Sequence, residues 1–240
     1  MELRCVLPLS KFEDWIDTMA DERPKLYNPL AIESIAESLV RKIEETPAVS
    51  LPPNQPFSGA GVYSIYYRGG FSAYAQLSGA NQTAWTTPIY IGKAIPKGGR
   101  IGISDGASSQ GLYDRLREHA DSITAASNLE LDDFACRYLA IEHLFISLAE
   151  HTLINRYKPV WNYFGGFGNH DPGGGRYAQK RSAWDTLHPG RAWASRLQDN
   201  PHDASYWLAR FQEHILKAEQ GEIQTVIPDD SASSEDEDGG

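Results

Sequence analysis

Near the start of the chain Ile32, Ile35, Leu39 and Ile43 recur at helical spacing, and Asn28 followed by Pro29 supplies a cap and a first helical position. This predicts a helix over 28–46, preceded by a shorter one over 11–22. Pro47, Pro52, Pro53 and Pro56 cannot continue a helix, so 46–61 reads as a linker. The pattern then turns β-branched and aromatic. Residues 61–67 (GVYSIYY), 72–77 and 88–92 (PIYIG) are the expected strands. Helical spacing returns over 111–126, where Leu112, Leu116 and Ile123 share a face. A mixed segment, 132–141, is a further candidate strand, and helices are expected over 142–157 and 203–219. Pro159 and the glycine-rich segment 165–175 end the former and open a long loop.

The expected fold is α/β of the α+β kind: a small, mainly antiparallel three-stranded sheet flanked by helices, with N-terminal helices before it and a C-terminal extension after it. With 240 residues and 26.7 kDa, one core with extensions is favoured over two full domains. The expected segments are a helical arm and linker (1–59), the core (60–163), a loop and C-terminal helix (164–222) and an acidic, disordered tail (223–240).

Composition changes this picture in two respects. Cys5 and Cys136 form neither a C-x-x-C pair nor a disulfide framework, no apolar run approaches the roughly 20 residues that span a bilayer, and residues 1–9 are too short for a signal peptide. A soluble, cytoplasmic protein is expected. The net charge of −10 speaks against a polyphosphate partner until its distribution is considered. Asp229, Asp230, Glu235, Asp236, Glu237 and Asp238 crowd the end of the chain, whereas seven basic residues face only Asp171 and Asp185 between Arg156 and Arg196. A local basic surface is compatible with the acidic total.

Four groups of residues carry candidate chemistry. Tyr63 in GVY and Tyr90 in YIG fall on neighbouring expected strands, so both phenols can face one side of the sheet, although a strand tyrosine taken alone is more often a packing residue. Arg115 and His119, four apart, share a helix face. A guanidinium can bind a phosphate in bidentate fashion and an imidazole can relay a proton; the plain alternative is an exposed helix face with Arg115 paired to Glu118 or Asp114. Glu150 has Ile146, Leu153 and Ile154 as its helical neighbours, which turns its carboxylate inward and calls for a cation, whether a metal or a structural ion-pair partner. A lone carboxylate completed by waters and a phosphate suits Mg²⁺. Finally, Arg176, Lys180, Arg181 and Arg191, interleaved with Tyr177, Trp184 and Trp193, and the group Lys93, Lys97 and Arg100 after YIG, could contact nucleic acid, each singly being a phosphate contact or a solvated charge. His170 and His188, beside Asp-Pro-Gly and Pro-Gly, read as turn residues without metal-ligand spacing.

The order GVY, YIG, Arg-x-x-x-His, Glu and then Asn162 after a proline resembles the GIY-YIG nuclease superfamily over residues 60–163, with Val62 in place of the usual isoleucine. The tracts GNHDPGGGR (168–176) and RSAWDTLHPGRAWA (181–194) resemble the C-terminal part of GIY-YIG restriction endonucleases that cut CCGCGG.

That resemblance implies a type II restriction endonuclease. Tyr63, Tyr90, Arg115, His119 and Asn162 would be its catalytic positions and Glu150 its metal ligand. Tyr63 would be the general base, and Mg²⁺, replaceable by Mn²⁺, the cofactor. Double-stranded DNA would be the substrate, read by a homodimer with two-fold symmetry, and a cognate DNA methyltransferase would be the functional partner. Segment 164–222 would then serve DNA recognition. Two alternatives keep the fold: a repair or homing-type nuclease, against which no additional DNA-binding motif is evident, and a non-catalytic DNA-binding module, against which every motif position is present.

Overall fold

A computed structural model of the protein describes residues 28, 30–96 and 110–223. The helix expected over 11–22, the basic residues Lys97 and Arg100 and nearly all of the acidic tail lie outside them. The chain divides into two compact units, Met1–Ile35 and Ala36–Gly240. In the first, the Asn28 side chain accepts from the Leu30 amide at 3.0 Å and its carbonyl from the Ser34 hydroxyl at 2.8 Å, although the helix that Asn28 was expected to cap begins only at Ile32. Helix α1 runs Ile32–Glu45, close to the predicted 28–46.

A four-stranded antiparallel sheet organises the second unit. Its strands are β1 (Val49–Ser50), β2 (Gly61–Tyr67), β3 (Pro88–Ala94) and β4 (Phe134–Ala140), in the order β1-β4-β2-β3. The expected three strands are corrected in two ways. Segment 72–77 is not a strand: Ser72–Tyr74 make a 3-10 turn and Ala75–Ala80 a short helix, α2. Tyr74 and Leu77, three apart, are both buried, a spacing that a helix places on one face and a strand on opposite faces. The segment over 132–141 instead supplies β4 next to β2, and two residues of the supposed linker supply β1.

Both faces of β2 are covered, so all seven of its residues are buried. On one face Tyr63, Ile65 and Tyr67 pack with Phe134 and Cys136 of β4, with Leu112, Leu116 and Ile123 of helix α3 (Gly111–Ala125), and with Trp161, Phe167, Trp184 and Phe211 from later in the chain. On the other, Val62, Ile91 and the partly buried Leu139 meet Val40 and Ile43 of α1 and Ile146, Ala149 and Leu153 of helix α4 (His143–Tyr157). Each such fully buried large apolar side chain contributes about 1.5–3 kcal/mol.

Two local devices set the register around the site. Asn81, fully buried, donates to the carbonyls of Tyr67 (3.0 Å) and Thr87 (2.9 Å) and accepts from the amides of Thr86 and Thr87 (2.9 Å each), which ties the end of β2 to the start of β3. After α4, Lys158 adopts the left-handed conformation (φ 48°) and Pro159 begins the four-residue helix α5, Val160–Tyr163. Helix α6 (Ala183–Leu187), unexpected from sequence, and helix α7 (Ala204–Glu219), expected over 203–219, complete the fold. Ser182 and Asp203 cap them by accepting from the amides of Asp185 (3.0 Å) and Tyr206 (2.8 Å). Among the described residues, no helix is long and apolar enough to cross a membrane.

Candidate active site

The glycines of the two strand motifs are there because backbone and ring come too close for a side chain. A Cβ on Gly61 would run into the Leu139 carbonyl of β4, and one on Gly92 into the Tyr63 ring and hydroxyl. Tyr63 pairs with Gly92 across β2 and β3, and Ile65 with Tyr90, so the two tyrosines share a face, their ring centroids 6.2 Å apart.

Helix α3 presents its Arg115–His119 edge to the same place. His119 is buried, and its Nε2 lies 2.6 Å from the Tyr63 hydroxyl. Tyr90 meets the imidazole edge-on at 5.1 Å, and Phe167 stacks on it at 4.6 Å with an interplanar angle of 16°. The roof is Gly168: a Cβ there would lie 3.0 Å from the Tyr90 hydroxyl, 3.7 Å from Arg115 Nη2 and 3.9 Å from His119 Cε1. Arg115 Nη1 donates to Glu118 at 2.8 Å and to His170 Nε2 at 2.6 Å. The Glu118 pairing is the plain alternative foreseen for this residue, and it coexists with a place in the cluster. The contact with His170 gives that histidine a task beyond the turn expected of it.

Electrostatics divide the cluster. Burial lifts the Tyr63 hydroxyl well above its usual 10, with Tyr90 and Glu150 adding to the shift and Arg115 opposing it. Burial, reinforced by Glu150 and opposed by Arg115, pushes Tyr90 up to about 12. Burial, with Arg115, His170 and Arg191 behind it, holds His119 well below 6.5. At neutral pH both tyrosines are therefore phenols and His119 is a neutral base, so the Tyr63 hydroxyl donates to Nε2.

Glu150 lies on α4 with a side chain 20% exposed, and Lys93 of β3 pairs with it at 2.9 Å. The inward carboxylate thus has a cationic partner, the structural ion-pair alternative, supplied here by Lys93, and its charge reaches both tyrosines. Among the described residues there is no cluster of three or more His, Cys, Asp or Glu side chains that could hold a metal, so a cation at this place would have one carboxylate as its protein anchor. Asn162 makes its side-chain hydrogen bonds elsewhere. From α5 its side chain accepts from the Ile91 amide (2.9 Å) and donates to the Ile91 carbonyl (2.7 Å), acting as a one-residue strand partner on the free edge of β3, next to Tyr90.

The candidate DNA contacts separate. Arg176 and the exposed Lys180 border a pocket of about 340 Å³, together with Gly168, Gln179 and Trp193. Arg181 is partly buried, donating to the Ala194 carbonyl (3.2 Å) and reaching Asp199 at 3.4 Å. Arg191 requires a correction. It is buried, with its charge spent on Asp185 and on backbone carbonyls, and it does not face solvent where DNA could meet it. His188 is likewise no mere turn residue: it is buried, its Nε2 meets Tyr74, its Nδ1 meets Asn128 at 2.9 Å, and burial depresses it to about 3. Phe167 was not singled out in sequence, and Gly168 and His170 fell in the tract 168–176, whose turn signal and family resemblance did not assign them to the catalytic cluster.

A family model described as the Eco29kI GIY-YIG domain matches residues 55–215. No curated protein matches the chain.

Proposed function

The chain belongs to the Eco29kI family of GIY-YIG domains, restriction-endonuclease-like nucleases that act on DNA, and we propose that it is a type II restriction endonuclease that cuts double-stranded DNA at a short GC-rich palindrome, CCGCGG. The observation that carries the mechanism is the buried Tyr63–His119 hydrogen bond, 2.6 Å long, with Tyr90 and Arg115 gathered at the same point.

A free phenolate is out of reach for Tyr63 at neutral pH, so its role as general base requires a relay. The attacking water gives a proton to the Tyr63 oxygen as the Tyr63 proton passes to Nε2 of neutral His119. The resulting hydroxide attacks phosphorus in line, the bond to the 3′ oxygen breaks and that oxygen takes a proton from water. His119 then returns its proton to the Tyr63 oxygen, which releases one to the water that enters as product leaves. Tyr90, a phenol held beside Tyr63, donates to the water or the phosphate, and Arg115 neutralises charge that develops on the phosphoryl oxygens. Asn162 acts on Tyr90 through the β3 backbone.

The residues present fit a divalent metal. A single partly exposed carboxylate, already matched by an ammonium, is a place built for positive charge, and Mg²⁺ keeps most of its waters and needs few protein ligands. Glu150 would hold Mg²⁺ or Mn²⁺, which would supply charge stabilisation at the leaving oxygen. Lys93, Arg176, Lys180 and Arg181, with Lys97 and Arg100, are the proposed DNA contacts. A palindromic site calls for two copies of the chain related by a two-fold axis, and a methyltransferase of the same specificity would protect the host DNA in the cytoplasm.

Digestion of a fully sequenced duplex with Mg²⁺ or EDTA, alongside Glu150→Gln, tests the proposal. Discrete Mg²⁺-dependent fragments ending at CCGCGG and absent from the variant are expected. Intact CCGCGG beside cuts elsewhere would remove the specificity, and no cleavage of any DNA would leave a binding module.

A further inference from the structure

Arg191 lies beyond residues 60–163, which carry the GIY-YIG motifs, yet four hydrogen bonds and an ion pair engage its guanidinium in one construction. Nε donates to Asp185 Oδ1 at 2.7 Å, Nη2 donates to the Gly166 carbonyl at 2.6 Å and lies in ion-pair contact 2.7 Å from the same Asp185 oxygen, and Nη1 donates to the carbonyls of Phe167 (3.1 Å) and Asn169 (3.0 Å). The guanidinium lies between the rings of Trp184 and Trp193, 4.6 Å from each centroid. Asp185 is fixed in turn by the Ser182 hydroxyl, 2.6 Å from its other oxygen. Burying an ion pair is costly in desolvation, which its hydrogen bonds offset. What this construction holds is the segment 166–169, whose Phe167 ring lies flat on His119 and whose Gly168 sits against Tyr90.

We propose that Arg191 is a positioning residue for the nuclease reaction: by pinning three carbonyls of segment 166–169 it presses Phe167 onto His119 and Gly168 onto Tyr90, keeping the imidazole dry and aimed at Tyr63. The inference rests on the relay described above. The titratable and charged groups around His119 are Tyr63 from β2, Tyr90 from β3, Arg115 on its own helix, His170 from the roof segment and Arg191 behind Phe167. The two arginines and the burial all oppose an imidazolium, so loosening the clamp admits water and moves Arg191's charge away. Both changes make His119 easier to protonate. A merely structural arginine would lower stability without altering that titration.

The experiment uses the full chain carrying Arg191→Lys or Phe167→Leu. Lysine keeps the charge but cannot span the carbonyls, and leucine removes the stacked ring while leaving the Arg191–Asp185 pair intact, so the second variant serves if the first does not fold. Histidine ring carbons are followed by NMR against pH, with His119 assigned from His119→Gln, and single-turnover cleavage and DNA affinity in EDTA are measured in parallel. The His119 midpoint is expected to rise toward 6.5 in both variants, and the cleavage rate to fall about a hundredfold, as for a misplaced catalytic group, while DNA affinity stays within about threefold. An unchanged His119 titration in both, with rate losses that follow only the loss of thermal stability, would overturn the proposal. If the wild-type chain cleaved no DNA, the nuclease reading would fail, yet the NMR titration would still decide whether Arg191 governs His119.

Discussion

The Tyr63 hydroxyl and Nε2 of His119 are 2.6 Å apart, and both side chains are shut away from solvent. Burial moves the two groups in opposite senses, the phenol upward and the imidazole downward, so the resting pair is Tyr-OH and neutral His. The proton crosses this bond only when something removes charge from, or adds a proton to, the phenol oxygen. In the proposed mechanism an attacking water would do the latter.

The pH dependence of cleavage follows from that pair. His119 accepts only while neutral, and burial, then Arg115, hold it well below 6.5. At saturating metal the single-turnover rate is therefore expected to stay level as pH falls from about 8 through the ordinary histidine value of about 6.5. A rate that halved near 6.5 and owed that limb to His119 would mean the imidazole is not sequestered as described.

Acid stability should be governed by the same physics elsewhere in the core. His188, depressed to about 3 by burial, and His119 and His214, also lowered mainly by burial, are neutral in the folded state and take up a proton more readily when unfolded. Their folded pKa values lie below the unfolded one. Stability is complete above about 6.5 and declines as pH falls toward the folded values, by up to about 1.4 kcal/mol per pH unit for each such histidine. Urea midpoints at pH 7.5 and 5 would show a marked drop; equal midpoints would contradict it.

Asn162→Ala removes both bonds to Ile91 and leaves that stretch of the β3 edge without its partner. A loss of about 1–3 kcal/mol is expected. Because Tyr90 adjoins Ile91, cleavage should weaken at temperatures where the variant is still fully folded. Undiminished activity in a destabilised but folded variant would confine Asn162 to stability.

In the proposed metal site Lys93 would compete with the cation for Glu150, their atoms being 2.9 Å apart. Lys93→Met frees the carboxylate, so the Mg²⁺ concentration giving half-maximal rate should fall severalfold, while DNA binding in EDTA weakens if the ammonium contacts phosphate. An unchanged or higher Mg²⁺ requirement would place the metal away from Glu150.

Much of this site could be read in the sequence because its parts are local. Two strand motifs put Tyr63 and Tyr90 on one face, a four-residue helical spacing put Arg115 beside His119, and apolar neighbours marked Glu150 as needing a cation. The same reasoning missed the strand β1, too short to show a pattern, and mistook 72–77 for a strand because its small and polar residues mask the helical spacing of Tyr74 and Leu77. It could not assign the roof. Phe167, Gly168 and His170 sit in a glycine-rich stretch, and only the fold brings Arg191, more than twenty residues later, back onto them. A basic residue near aromatics looked like a DNA contact, and its burial was not visible in its spacing.

The central claim is tested most directly by Tyr63→Phe, assayed for single-turnover cleavage of DNA containing CCGCGG in Mg²⁺. The ring still packs over Gly92, and only the hydroxyl that meets His119 is lost. A folded variant that binds DNA as the wild type does and cleaves about 10²–10⁴ times more slowly is the expected result. Cleavage at the wild-type rate would mean that the proton of the attacking water does not pass through Tyr63.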